Sequence, residues 1–136
     1  MGLLLLLSAS VFAQLEIDQP IMHKMVLQRG QPLILSGKGL PSNTVKIHID
    51  ENKTYTTVSD QNGFWKIEIP SHAASVKPFS LVVFTKTDSL QFKDLLWGDV
   101  WVCAGQSNME FALKSELHYQ NELPIAANQN IRVYNP

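Results

Sequence analysis

From residue 14 onward, apolar residues fall in short runs with a period of two. Val45-Lys46-Ile47-His48-Ile49 alternates strictly, and Phe64-Trp65-Lys66-Ile67-Glu68-Ile69 alternates from Trp65 onward. This is the pattern of a strand with one face in a core and the other in water. Turn residues punctuate the runs. Gly37-Lys38-Gly39 closes Pro32-Leu33-Ile34-Leu35-Ser36, and Asp50-Glu51-Asn52-Lys53 separates the run at 45–49 from Thr54-Tyr55-Thr56-Thr57-Val58. Asp60-Gln61-Asn62-Gly63 ends in Asn-Gly just ahead of Phe64, and Pro70 stops that strand by removing a ladder donor. Further runs lie at residues 79–85 and 90–92. Strands at this spacing, with no helical period, predict a β-sandwich domain over residues 14–95. Its expected core is Ile34, Ile47, Phe64, Trp65, Leu81 and Val83.

The pattern changes at Leu95. Val100-Trp101-Val102-Cys103-Ala104 is apolar on successive residues, as a strand buried on both faces would be. It stops at Gly105-Gln106-Ser107-Asn108. Apolar residues at 109, 113 and 117 then predict a helix, and Asn130-Ile131-Arg132-Val133-Tyr134 predicts a second strand. The domain organisation expected is residues 1–13, 14–95 and 96–136.

Residues 1–13 hold an unbroken leucine run, Leu3 to Leu7, followed by small residues up to Ala13. About 11 apolar and small residues are too few to span a bilayer, which takes roughly 20. The segment therefore gives no stable membrane anchor and fits the apolar region of a signal peptide, with Val11 and Ala13 before the cut. The basic residue expected ahead of such a run is missing, and a buried hydrophobic strand is the other reading. The signal peptide implies a secreted or periplasmic protein.

Composition narrows the chemistry. Among 136 residues, 45% are hydrophobic and the formal net charge is −1, which argues against a nucleic-acid partner, since phosphate binding needs a basic surface. One cysteine, Cys103, permits no intrachain disulfide and reads as a small buried hydrophobe. His23, His48 and His72 are isolated in sequence and read as surface or strand-edge residues, so no metal site is expected. Met22 and Met25 beside His23 read as hydrophobic edge rather than as copper ligands.

Ser107 is the candidate for chemistry. A serine just past a strand and a glycine turn, at the start of a helix, sits where unpaired backbone N–H groups can stabilise an oxyanion. Ser107-Asn108-Met109-Glu110 equally matches a capping box, in which the hydroxyl serves only the helix. Spacing alone leaves both readings open and favours the cap.

The block from Trp97-Gly98-Asp99-Val100-Trp101 through Gly105-Gln106-Ser107-Asn108-Met109-Glu110-Phe111 resembles the nucleophile segment of the sialate O-acetylesterases, which are SGNH (GDSL-like) carbohydrate esterases. The likeness extends to Met25-Val26-Leu27-Gln28-Arg29-Gly30, to Asp60-Gln61-Asn62-Gly63-Phe64-Trp65 and to Asn130-Ile131-Arg132-Val133-Tyr134. It implies a β-sandwich followed by the first strand-helix-strand portion of a flavodoxin-like α/β hydrolase domain. It further implies Ser107 as nucleophile, its own N–H in the oxyanion hole, an O-acetylated sugar as substrate, and no cofactor. Gln106 and Asn108 are candidate substrate contacts, with bracing of the turn as their default role.

The family's general base comes from an Asp-x-x-His block, and none occurs in this sequence. His118 lies 11 positions after Ser107, which on a continuous helix is roughly 16 Å along the axis, too far to take the hydroxyl proton. Asp99 reads as a strand-entry residue rather than a triad acid. The chain is accordingly expected to be the N-terminal fragment of a longer esterase, inactive alone. The alternative is a secreted, non-catalytic β-sandwich module that binds glycan, with Trp65 and Tyr55 as sugar platforms. A complete but inactive remnant is a third reading.

Overall fold

A computed structural model of the chain describes residues 14–50 and 53–134, and only the backbone of Asn108 and Glu110. The expected signal peptide at 1–13 lies outside the described residues.

Eight strands form: β1 (Glu16–Ile17), β2 (Val26–Gln28), β3 (Leu33–Lys38), β4 (Thr44–Ile49), β5 (Lys53–Val58), β6 (Phe64–Ile69), β7 (Ser75–Phe84) and β8 (Ser89–Gly98). They make two sheets, one ordered β1-β3-β6 and the other β2-β8-β7-β4-β5. All pairings are antiparallel except β2 with β8, which run parallel. The six strands expected from periodicity are all present, though β7 starts ahead of its expected run and β8 continues well past its own. β1 and β2 are too short to leave a periodic trace and went unread.

Both sheets feed one core. Leu35, Trp65 and Ile69 come from the first sheet, and Leu27, Val45, Ile47, Ile49, Phe79, Leu81, Val83, Leu95 and Trp97 from the second. Two expected core members are corrections. Ile34 and Phe64 are 46% and 49% exposed, while their neighbours Leu35 and Trp65 are buried. Successive side chains on a strand point to opposite faces, so adjacent residues cannot both face one core. The Trp65 indole N–H donates to the Lys38 carbonyl at 3.2 Å, as a buried indole requires.

β8 departs from the prediction in a way that matters downstream. It continues through Leu95, Leu96 and Trp97, all buried, to Gly98, so these residues complete the second sheet. Asp94 takes a left-handed conformation (φ 58°) within the strand, and the β7–β8 register shifts between Phe79 and Leu81. Such an irregularity re-aims the strand, and Asp is among the few side chains that tolerate it.

Beyond Gly98 the expected strand-helix-strand is not formed. Residues 99–106 have no regular structure, and Val100, Trp101 and Val102 are 50%, 84% and 88% exposed. No strand among the described residues flanks this segment, and a strand without a ladder partner has nothing to bond to. Cys103 is exposed, not buried, for the same reason. In place of one helix there are 3-10 turns at Ser107–Glu110 and Leu113–Ser115, one α-helical turn (α1, Tyr119–Glu122) and a 3-10 turn at Leu123–Ile125. Met109, Leu113 and Leu117 are exposed, so no apolar face is buried to sustain a longer helix. Residues 130–134 likewise pair with no strand.

Candidate active site

The segment that carries Ser107 leaves the second sheet at Gly98 and is held there by β2. Parallel pairing sets Val26 against Leu96, Leu27 against Trp97, and Gln28 against Gly98. The strands lie so close that a Cβ on Gly98 would stand 2.9 Å from Val26 Cγ1. Past the ladder, the Arg29 N–H donates to the Gly98 carbonyl and the Val100 N–H donates to Gln28 Oε1, both at 2.9 Å. Arg29 Nε and Nη2 then donate to the two carboxylate oxygens of Asp99 at 2.9 and 3.0 Å. Two blocks that are distant in sequence thus meet at the start of the site segment.

Asp99 is fully engaged by this pair. The Arg29 hydrogen bonds hold its carboxyl below the usual carboxylate range; desolvation opposes them, and the Arg29 charge and Gln28 add to them. The same contact raises the Arg29 guanidinium above its ordinary value. The carboxylate already serving Arg29 is a strut for the chain.

Ser107 opens the first 3-10 turn and is exposed. The turn is closed by the Met109 N–H donating to the Gln106 carbonyl at 2.9 Å. Gly105 lets it fold tightly, since a Cβ there would lie 2.5 Å from Met109 Cγ. Gln106 therefore braces the turn through its backbone, while its side chain is exposed. The Asn108 side chain lies outside the described residues. The arrangement presents a hydroxyl to solvent at a tight bend.

No imidazole among the described residues is hydrogen-bonded to Ser107. His118 precedes α1, with its backbone N–H on Glu116 Oε2, and the continuous helix from which its reach was judged is absent. His23 Nδ1 accepts from the Lys93 N–H at 3.0 Å, and His48 Nδ1 shares a hydrogen with Thr54 Oγ1 at 2.6 Å. His72 lies flat on Trp97 with ring centroids 4.4 Å apart. Among the described residues no group of three His, Cys, Asp or Glu is arranged to hold a metal. A cavity of about 350 Å³ lies elsewhere, between Leu15, Leu40, Asn43 and Asp88, and does not include Ser107.

The end of the segment is also tied down. Arg132 Nη2 meets Asp94 Oδ1 at 2.9 Å, and Nη1 donates to the Asp94 and Met25 carbonyls. Arg29, Gln28, Asp94 and Arg132 were missed as site-shaping residues. Arg29 and Arg132 lie inside the blocks that carried the family likeness, but nothing local ties Arg29 to a carboxylate 70 positions away.

With this geometry in hand, comparison with known proteins points to carbohydrate acetylesterases. A solved carbohydrate acetylesterase from Xanthomonas citri superposes with a TM-score of 0.73 at 31% identity, covering 85% of this chain and 26% of that one. In sequence, the chain is similar to the sialate O-acetylesterases of mouse (29% identical over 121 residues) and human (29% over 125). These alignments take in 81% and 83% of this chain, but only 22% and 24% of the mouse and human proteins. The chain thus spans about a quarter of the length of the curated relatives it matches. No family model matches it. The likeness to the sialate O-acetylesterases read from the motifs is borne out.

Proposed function

We propose that this chain carries the nucleophile-bearing segment of a serine carbohydrate acetylesterase that removes O-acetyl groups from sialic acid or related glycans. The observation that carries the reading is the Gly105-Gln106-Ser107 turn, exposed just beyond the strand end that β2 clamps, in a chain whose relatives are named as acetylesterases. Ser107 Oγ attacks the acetyl carbonyl, and the oxyanion is met by backbone N–H groups, that of Ser107 among them. The Oγ proton passes to a histidine and on to the departing sugar oxygen, after which water releases acetate and frees the serine. We place that histidine in polypeptide beyond this chain, and the chain alone is then inactive, because a serine without its base is a poor nucleophile.

In this reading the two sheets form a sandwich that ends at Gly98, three residues later than the sequence boundary. The segment after it opens an α/β hydrolase domain whose sheet is completed by other polypeptide. The signal-peptide reading of residues 1–13 puts the site of action outside the cell or in the periplasm. The glycan-module alternative loses one of its two platforms, because Trp65 is only 2% exposed.

The test is acetate release from O-acetylated sialic acid by the polypeptide that joins this segment to a histidine-bearing block. Ser107→Ala lowers kcat by at least about 10³-fold with folding intact. Full activity in that variant would refute the assignment.

A further inference from the structure

The segment bearing Ser107 is fastened at its two ends to the two ends of one parallel strand pair. It starts at Asp99, gripped by Arg29, and closes at Arg132, which returns to Asp94 and Met25. All of the holding groups flank or belong to the parallel β2–β8 pair, where the Leu96 N–H donates to the Met25 carbonyl at 3.0 Å. The second fastening is the more enclosed of the two. The Arg132 side chain is 17% exposed, and its guanidinium satisfies two backbone carbonyls and one carboxylate at the left-handed residue that bends β8. Its planar fork can reach three acceptors at once, which a lysine ammonium on its flexible stem does not reproduce.

We propose that Arg132 is a positioning residue. It latches the far end of the 99–132 excursion to Asp94 and Met25, and so fixes where Ser107 stands relative to the β-domain. The role rests on Ser107 being the nucleophile, as argued above. Arg132 touches no substrate. Its effect runs through the backbone of the segment, and Asp94 is its partner.

The chain offers a direct probe, because its single cysteine, Cys103, is exposed and lies four residues before Ser107. A nitroxide on Cys103 and a second at Thr56→Cys, on exposed β5, report the spread of distances between the segment and the sheet by electron double resonance. Arg132→Met and Asp94→Asn each broaden that distribution at least about twofold. Asn keeps the left-handed backbone available, so the second variant removes the carboxylate charge without the bend. The double variant is no broader than either single one, as residues acting through one contact require.

In the acetylesterase polypeptide that contains this segment, both substitutions lower kcat about tenfold or more and leave KM within about twofold. Arg132→Lys recovers only part of the loss. Unchanged distances in Arg132→Met overturn the latch. Broadened distances with wild-type kcat overturn the positioning role. Acetate release that survives Ser107→Ala overturns the nucleophile assignment and the positioning role with it, while the distance result then still decides the latch.

Discussion

Arg29 holds both carboxylate oxygens of Asp99, at 2.9 and 3.0 Å, across 70 residues of sequence. The pair sits where β2 and β8 end side by side, so it fixes the direction in which the chain departs toward Ser107. Asp99's folded pKa lies below its unfolded one. Its contribution to stability is therefore present above about pH 3.9 and is lost as pH falls through the lower folded value. In Arg29→Ala the Asp99 carboxyl titrates back toward the ordinary range, as followed by carbon NMR of the side chain. Both partners are about half exposed (48% and 49%), so the melting temperature at neutral pH hardly moves and added salt narrows the difference. Identical Asp99 titration in the two proteins would show that the pair is not formed in solution.

A second pH effect has the same sign and comes from a different group. His72 lies parallel to Trp97 (interplanar angle 2°), which in turn stacks on Phe79 with centroids 4.8 Å apart. Burial pushes the imidazole pKa down, the Lys53 charge pushes it the same way, and Asp50 opposes both. A histidine depressed in the folded state binds its proton more readily when unfolded. Stability therefore falls as pH drops below about 6.5 and levels off below the folded value. Melting curves followed by tryptophan fluorescence drop in midpoint between pH 7 and pH 5, and His72→Gln flattens that drop. An undiminished slope in the variant would assign the effect to other groups.

The turn before β6 is built on one carboxylate and one glycine. Asp60 Oδ1 accepts from the Asn62 and Phe64 N–H groups at 2.8 and 2.9 Å, and Gly63 sits at φ 83°. A Cβ on Gly63 would stand 2.3 Å from the Gly39 carbonyl oxygen, a backbone atom that cannot swing aside. Gly63→Ala is destabilising by about 2–4 kcal/mol, combining left-handed strain with the clash. Asp60→Ala loses about 1–2 kcal/mol through the loss of two charge-assisted hydrogen bonds that water replaces only in part. Urea unfolding of the two variants gives the ranking, and an equal or reversed order would contradict this geometry.

Core register gives the sharpest contrast between neighbours. Trp65 is 2% exposed and its substitution by Ala removes about 3–5 kcal/mol, whereas Phe64→Ala removes under about 1 kcal/mol. Phe64 instead lies on the outer face beneath Lys38, whose Nζ is 4.7 Å from the ring centroid. Denaturant midpoints separate the two variants, and similar losses would mean that β6 is in the other register.

That contrast also marks how far the sequence could be read. Alternation located β3 to β8 because a half-buried strand writes its two faces into the residue order. It could not say which of Phe64 and Trp65 pointed inward, since both are large and apolar and the opposite sheet decides. The departures after Gly98 have another cause. Val100-Trp101-Val102 has the composition of a buried strand, but burial is a property of a sheet, and no flanking strand lies among the described residues. Ser107 stood out through the likeness of its block to the family's nucleophile segment, since its spacing alone fitted a helix cap better. The Arg132–Asp94 contact was not, because it joins a loop to an irregular point of β8 that only the folded backbone reveals.

The hydroxyl of Ser107 has two candidate duties, and two measurements separate them. A backbone bond from the Met109 N–H to the Gln106 carbonyl closes the bend, and the turn extends only from Ser107 to Glu110. A cap that mattered would cost about 1 kcal/mol on truncation, whereas an exposed serine away from such duty falls within about 0.5 kcal/mol. Ser107→Ala in this chain is expected at the lower figure by urea unfolding. A fluorophosphonate should react at the same oxygen once the histidine-bearing polypeptide is present. The serine oxygen bonds to phosphorus, fluoride departs and the histidine takes the proton, leaving an adduct that mass spectrometry places on the peptide containing Ser107. Gly105→Ala slows that labelling at least about tenfold, because the new methyl displaces Met109 and tilts the bend. A labelled protein with its adduct on any other serine, or a stability loss of a full cap in Ser107→Ala, would return Ser107 to a structural role.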